Sequence, residues 1–259
     1  MQSGRLVKHA YWKLGGKRFL DEAATVIFST RSERDKAASQ FELPGSEVVP
    51  WPVELVDTLN SSSARQRVRL QLGIPEGARA LLYFGRLHSM KCPLETIDSV
   101  AQADRTDLHL IMVGNPQDVS IEECRERAKK LGVSTCVHLV GPVYGDAKYD
   151  YLHAADAYIS LSHRENFNHT AAESLAAGLP VILSAGNDLL SEISNIGCAW
   201  GLQDNSVLSA ASAITDFMGT SNESLAEMGR RGREWVSSEL SFENFQASLL
   251  RVANRISKT

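Results

Sequence analysis

From Arg79 onward, short uninterrupted apolar runs alternate with helical patterns, and few folds accept that rhythm. The runs occupy residues 80–84, 108–113, 137–140, 157–161 and 181–183, with glycine or proline close to many of their ends. A strand that is apolar on both faces must be covered on both faces, as in a parallel sheet. Helical patterns fill the gaps at 93–103, 121–131, 147–153 and 170–177. Strand–helix alternation of this kind predicts an α/β domain over 79–259, a doubly wound Rossmann-like parallel sheet. The chain then continues as helices at 207–218, 221–238 and 242–256.

The front of the chain has a different texture. Residues 1–52 read as a helix, a short strand at 25–29, a helix at 32–39 and a second apolar run at Val48-Val49. Ser32 is the expected cap of that second helix, with Asp35 as its acidic partner. Pro50 and Pro52 then break the pattern. These elements are too few for a core of their own, so 1–52 is expected to be a fragment of a second Rossmann-like domain. Residues 53–78 read as a polar connector, with a possible helix through Arg69 and a turn at Pro75-Glu76-Gly77.

Charge and cysteine usage narrow the function. The balance is 27 basic against 31 acidic side chains, a net charge of −4, which gives no support to a nucleic-acid binder. The four cysteines form no C-x-x-C pair, so neither a zinc site nor a redox motif is indicated. Reduced thiols in a cytoplasmic protein are expected. No apolar run is long enough to span a bilayer, and the start does not read as a signal peptide. Arg5, Lys8, Lys13, Lys17 and Arg18 precede any acid and are interleaved with Leu6, Val7, Tyr11, Trp12 and Leu14. An ordinary amphipathic element is the preferred reading, with peripheral contact at the inner membrane face as the alternative.

In a doubly wound sheet, ligands bind beyond the carboxyl ends of the strands. The residues there are Gly85-Arg86, Gly114-Asn115, Gly141-Pro142 and the segments 162–168 and 184–188. After the first strand, Gly85 permits close backbone approach, Arg86 offers a forked donor and Lys91 a point charge. Pro93 then opens a helix whose amino end favours anions. This group suits a diphosphate, or it is an ordinary turn with two solvated cations. Between strand 157–161 and the next helix lie Glu165 and Glu173. A carboxylate at that crevice can accept both hydroxyls of a ribose. Equally, Thr170-x-x-Glu173 is a capping box that needs no ligand, and Glu165 could be a solvated loop acid. His163 and His169 flank Glu165 without a third ligand at metal spacing, and no metal is expected. His88 and His138 read as surface or packing residues. Asp188 and Glu192 could meet a substrate, but Asn187 or Asp188 could as readily cap a helix.

Taken together, these segments resemble the family 4 glycosyltransferases, which have the GT-B architecture. That family carries a "GR…K" loop after the first strand of its C-terminal domain. It also carries two glutamates separated by seven residues, followed by "G-x-P-V-I". Here these are Gly85-Arg86 with Lys91, then Glu165 and Glu173 followed by Gly178-Leu179-Pro180-Val181-Ile182. The resemblance runs in order over about residues 79–255. It implies a retaining enzyme that moves a hexose-type sugar from a nucleoside diphosphate donor to a hydroxyl acceptor. The acceptor would be a sugar, lipid or small molecule, in polysaccharide synthesis, with no metal and no cofactor beyond the donor. By the same resemblance, Arg86 and Lys91 bind the diphosphate and stabilise the leaving group. Glu165 contacts the transferred sugar and Glu173 holds the ribose. The backbones of Phe167 and Asn168 touch the sugar or phosphate, and those of Leu139, Val140 and Gly141 meet the base.

Two departures stand out. Asn168 occupies a position where many members have glycine. Asparagine tolerates a left-handed backbone, so the loop shape should survive, with the side chain entering the crevice and altering sugar choice. At the front, only the last part of the acceptor-binding domain has a counterpart. Val48-Val49-Pro50-Trp51-Pro52-Val53 stands in place of "V-P-N-G-V". The expectation is a truncated gene or a second chain that supplies the missing half. Two alternatives stay open: a non-catalytic nucleotide-sugar-binding half, and a GT-B-type sugar-nucleotide epimerase. The paired glutamates disfavour the epimerase.

Overall fold

The computed structural model describes residues 15–56 and 61–257. Helix α1 (Lys17–Asp21) leads to strand β1 (Val26–Phe28), and helix α2 (Arg31–Ala38) crosses to strand β2 (Ser46–Val48). The two strands pair in parallel, Val26 opposite Ser46. The cap of α2 is Thr30 rather than Ser32. Thr30 has the extended backbone a cap requires, and its hydroxyl accepts from the Glu33 amide. The Glu33 carboxylate in turn takes the amide and hydroxyl of Ser29. Most of the basic amino-terminal stretch, including Arg5, Lys8 and Lys13, lies outside the described residues. Lys17 and Arg18 pair with Asp21 and Glu22 one turn on.

Within the connector, helix α3 (Ser61–Leu72) runs three residues past Arg69 and packs into the larger unit. Ala64, Val68 and Arg69 are its buried residues. Arg69 donates to the carbonyls of Ala78 and Ala154, both at 2.9 Å, and to Asp156 at 2.6 Å. Burial lowers the Arg69 pKa, with Asp156 opposing. Every donor direction of a buried guanidinium needs an acceptor, so this one side chain ties α3 to two loops of the sheet.

The large sheet follows. Strand β3 (Arg79–Phe84), helix α4 (Pro93–Ala103), strand β4 (Leu108–Val113), helix α5 (Ile121–Lys130) and strand β5 (Val137–Gly141) form its first half. Helix α6 (Ala147–Ala154), strand β6 (Ala157–Ser160), helix α7 (His169–Ala176), strand β7 (Val181–Leu183), helix α8 (Leu189–Ile193) and strand β8 (Ala199–Gly201) form its second. Helices α9 (Val207–Gly219), α10 (Asn222–Glu239) and α11 (Phe242–Ile256) close the chain. All strand pairs are parallel, in the order β5-β4-β3-β6-β7-β8. The order reverses between β3 and β6, and that is where a doubly wound sheet opens a crevice. Alternate residues of β3 and β4 feed two cores. Ala80, Leu82, Ile111 and Val113 face one side, and Leu81, Tyr83, Leu110 and Met112 the other.

Helix α10 approaches the turn after α7 so closely that a Cβ on Gly229 would lie 1.9 Å from the Gly178 carbonyl oxygen. Gly229→Ala should therefore cost at least about 2 kcal/mol, because backbone must move to admit the methyl group. Urea unfolding reads this directly, and an unchanged midpoint would rule out the close approach.

His109 and His138, on β4 and β5, stack at 5.2 Å, with Nδ1 of one 2.9 Å from Nε2 of the other. Burial, then the His109 charge, pushes His138 down to about 4. Burial, then Arg69, lowers His109. A folded-state pKa below the unfolded value means the unfolded chain binds protons first. The stability this pair contributes is thus complete above about pH 6.5 and is lost as pH falls toward 4. His138→Gln should lose on the order of 1–3 kcal/mol less than wild type over that interval. Parallel pH dependences of the two urea midpoints would count against the pair.

Candidate functional site

The predicted site residues lie at the end of β5 and in the stretches that follow β3 and β6, with Glu173 inside helix α7. After β3, the Gly85 amide donates to the Val113 carbonyl at 2.9 Å, and the Leu87 amide to Asn115 at 2.7 Å. The two loops are in contact, and a Cβ on Gly114 would lie 1.7 Å from the Gly85 oxygen. Glycine at Gly114 is thus what brings these loops together. Asp118 then takes the amide and hydroxyl of Ser89, at 2.8 and 2.6 Å, and shapes the single turn that presents Lys91. Cys92 follows in the left-handed region, and Pro93 begins α4.

After β6, the chain runs back toward this loop. The His163 amide donates to Met90 at 2.9 Å. Glu165 is pinned through its backbone to the loop after β7. Its amide donates to Gly186 at 2.9 Å, and its carbonyl accepts from Asp188 at 2.8 Å. Lys91 and Glu165 thereby meet as an ion pair, with side chains 25% and 14% exposed. Arg86, on the same wall, donates to Gln117 at 3.1 Å.

Asn168 adopts the left-handed conformation, φ 55° and ψ 70°, as expected of the residue that replaces glycine. Its side chain does not enter the crevice. It points inward, accepts from the Ala171 amide as the cap of α7, and donates to Asn187 at 2.5 Å and Ser160 at 3.2 Å. The reason is satisfaction: a buried carboxamide must find partners, and the cap and the two strand ends supply them. This also corrects the capping box. Asn168 is the cap, so Thr170 is not, and Glu173 stands in the second turn of α7 with no capping duty. Its carboxylate instead meets Lys148 of α6 at 2.6 Å. Leu139 and Val140 end β5 half-buried, beside Gly141.

A cavity of about 810 Å³ joins part of this set. Arg86, Lys91, Glu165, Phe167 and Asn168 line one wall, and Ser29, Glu33 and Trp51 of the small unit line the other. Glu173, Gly85, Leu139 and Val140 lie outside that cavity. A second cavity of about 890 Å³ is larger but shares only Phe167 with the predicted set. Its charged lining is largely paired, Arg31 with Glu192 and Arg255 with Glu47, which marks a seam between units.

Three carboxylates hold α2 across the seam through four contacts. Asp188 takes Lys36 and Ser32, Glu192 takes the Arg31 amide at 2.7 Å, and Glu33 takes the Asn166 amide group at 2.5 Å. Asp188 and Glu192 therefore join the units rather than cap α8 or face the crevice between β3 and β6. Lys148 and Gln117 are not singled out by the sequence, and Asn187 is weighed there only as a helix cap. Only Lys148 carried a signal, as a cation at the start of a helix, where the peptide dipoles disfavour it. Among the described residues, no group of three His, Cys, Asp or Glu side chains is placed to hold a metal ion. No helix among them is long and apolar enough to cross a membrane.

The family model for "Glycosyl transferases group 1" matches residues 64–235, from α3 through α10. The chain belongs to this family. A group 1 chain of this kind is 26% identical over 214 residues to the D-inositol 3-phosphate glycosyltransferase of Streptomyces avermitilis, which is 79% of this chain and 46% of that protein. It is 30% identical over 195 residues to the like-named protein of Acidothermus cellulolyticus, 69% of this chain and 43% of that one. The chain spans about half the length of the curated relatives it matches. Among solved structures, sucrose-phosphate synthase from Thermosynechococcus elongatus superposes with a TM-score of 0.78 at 22% identity, over 94% of this chain and 61% of that one. Anabaena HepE in complex with UDP and glucose gives 0.74 at 16% identity, over 92% and 64%. These likenesses establish the GT-B, Rossmann-like fold of the group 1 chain.

Asn168 offers a test of the loop. Asn168→Ala loses the cap and leaves a Cβ-bearing residue with no side-chain compensation in the left-handed region, at about 2–3 kcal/mol together. Asn168→Gly removes the backbone part and should recover about 1 kcal/mol of that. Equal urea midpoints for the two variants would contradict the strain argument.

Proposed function

We propose that this chain carries the donor-sugar half of a retaining glycosyltransferase of family 4. In this reading, Arg86 and Lys91 hold the diphosphate of a nucleoside diphosphate sugar. The observation that carries it is the meeting of Lys91 with Glu165 at the reversal point of the sheet. There the anion of the donor and the carbon that leaves it have adjacent partners. Negative charge grows on the diphosphate as the sugar departs, and fixed cations in a partly dry site stabilise that change more than water does. Two cations and the amino end of α4 match a diphosphate in charge, so the reading calls for no metal ion.

Glu165 would sit beside the anomeric carbon, with the amides of Phe167 and Asn168 on the sugar or phosphate. Glu173 would accept the ribose hydroxyls, and the backbones of Leu139 and Val140 would meet the base. The two glutamates are eight residues apart, on a loop and a helix, and serve different parts of one ligand. They do not act as the acid and nucleophile of a hydrolase. Support for a nucleotide-sugar donor also comes from Anabaena HepE, solved with UDP and with UDP-glucose. The acceptor is a hydroxyl compound, a sugar, a lipid or a small molecule. The reaction belongs to polysaccharide synthesis in the cytoplasm.

Calorimetric titration of UDP, GDP and ADP tests the donor site. One nucleotide should bind, and Glu173→Ala should weaken it at least about tenfold, since a lost acceptor leaves a hydroxyl pair unmet. Absence of binding by all three would defeat the proposal. Binding without turnover of the matching nucleotide sugar would favour the non-catalytic half instead.

A further inference from the structure

Lys148 is the second residue of α6, at the end of a helix where the peptide dipoles oppose a cation. Its ammonium nonetheless lies 2.6 Å from Oε1 of Glu173, on α7. The two side chains are 27% and 29% exposed, so both ions have lost most of their water. Burial works against the Lys148 charge, and the hydrogen bond and charge of Glu173 outweigh it, so the lysine pKa is raised. Glu173 has no capping role that would hold it otherwise, because Asn168 caps α7. A carboxylate on the exposed side of a helix turns freely among rotamers. This one is held at one oxygen by a cation from a separate helix.

We infer that Lys148 is a positioning residue that sets Glu173 to read the ribose of the donor, so that the pair distinguishes ribonucleotides from 2′-deoxyribonucleotides. The inference rests on the assignment of Glu173 to the ribose made above. Lys148 occupies one acceptor position of Oε1 and narrows the rotamers open to the carboxylate, which leaves acceptor positions on both oxygens for two neighbouring hydroxyls. α6 starts just beyond Gly141, the end of the strand whose backbone is assigned to the base. A site built to bond a hydroxyl rejects an analogue that lacks it far more strongly than an apolar pocket does, because the site's own polar groups are left unmet. If Glu173 is free to rotate, that penalty fades, since the carboxylate turns to water.

The experiment titrates the nucleotide that binds, UDP first and then GDP and ADP, together with its 2′-deoxy counterpart. It compares the full chain in wild-type form with Lys148→Met, Lys148→Gln and Lys148→Arg, each checked for an unchanged urea midpoint. Wild type should prefer the ribonucleotide at least about tenfold. Lys148→Met should cut that preference below about threefold, chiefly by weakening the ribonucleotide, and Lys148→Arg should restore most of it. Lys148→Gln serves in place of the methionine variant if the latter does not fold. Equal weakening of both nucleotides, with the preference intact, would mean a merely structural lysine and would overturn the inference while leaving Glu173 on the ribose. No preference in wild type, together with no effect of Glu173→Ala, would overturn both readings.

Discussion

The carboxamide of Asn168 bonds three elements at once. It caps α7 through the Ala171 amide, reaches the end of β6 at Ser160, and donates to Asn187 beyond β7. Asn187 continues the knot, donating to the Ser160 and Ser184 carbonyls. Two consecutive βα turns are thereby locked to one another by buried polar groups, and such groups are costly to leave unmet. Glu165 lies three residues before Asn168 and Glu173 five residues after it. The spacing of the two carboxylates in space depends on this one residue, because it sets both where the loop turns and where the helix begins. Glycine at this position would reproduce the turn and lose the knot.

Strands β3 and β4 were legible because an uninterrupted apolar run in a two-faced sheet is its own signal. β8 carries no such run. It has three residues at the sheet edge, two of them half-buried, with Ala199 packed against one core and Trp200 against the other. Spacing points to caps at Ser32 and Thr170, each two residues from the actual caps Thr30 and Asn168, because spacing alone does not say which residue has the extended or left-handed backbone. Glu165, Glu173, Arg86 and Lys91 could be named as candidates because they fall just past apolar runs. Their partners could not, since Lys148 reaches Glu173 across twenty-five residues and Gln117 reaches Arg86 across thirty-one. Those pairings are products of the strand order, which adjacency in sequence does not reveal.

Both carboxylates of the motif are met by lysines from other elements, Lys91 for Glu165 and Lys148 of α6 for Glu173. As stabilising devices such pairs contribute little, since desolvation offsets most of the attraction. Their value lies in orientation. Each glutamate is held toward a cation from another element, and each lysine is kept from folding back to solvent. A diphosphate that takes Lys91 from Glu165 replaces one ion pair with another, so little charge is newly buried.

The contacts between the units have a different physical basis. Lys36 with Asp188, Arg31 with Glu192, Glu33 with Asn166 and Arg255 with Glu47 are polar, and most involve exposed partners. Exposed pairs are worth at most about 1 kcal/mol each, and polar seams between units permit relative motion. Asp188 is the exception, at 6% exposed, and its carboxylate sits between Lys36 and Ser32. Its burial comes in part from α2 itself, which brings both Lys36 and Ser32 onto one carboxylate oxygen. Glu33 and Trp51, on the far wall of the cavity, have further contacts of their own across the seam, Glu33 with Asn166 and Trp51 with the rings of His169 and Phe245.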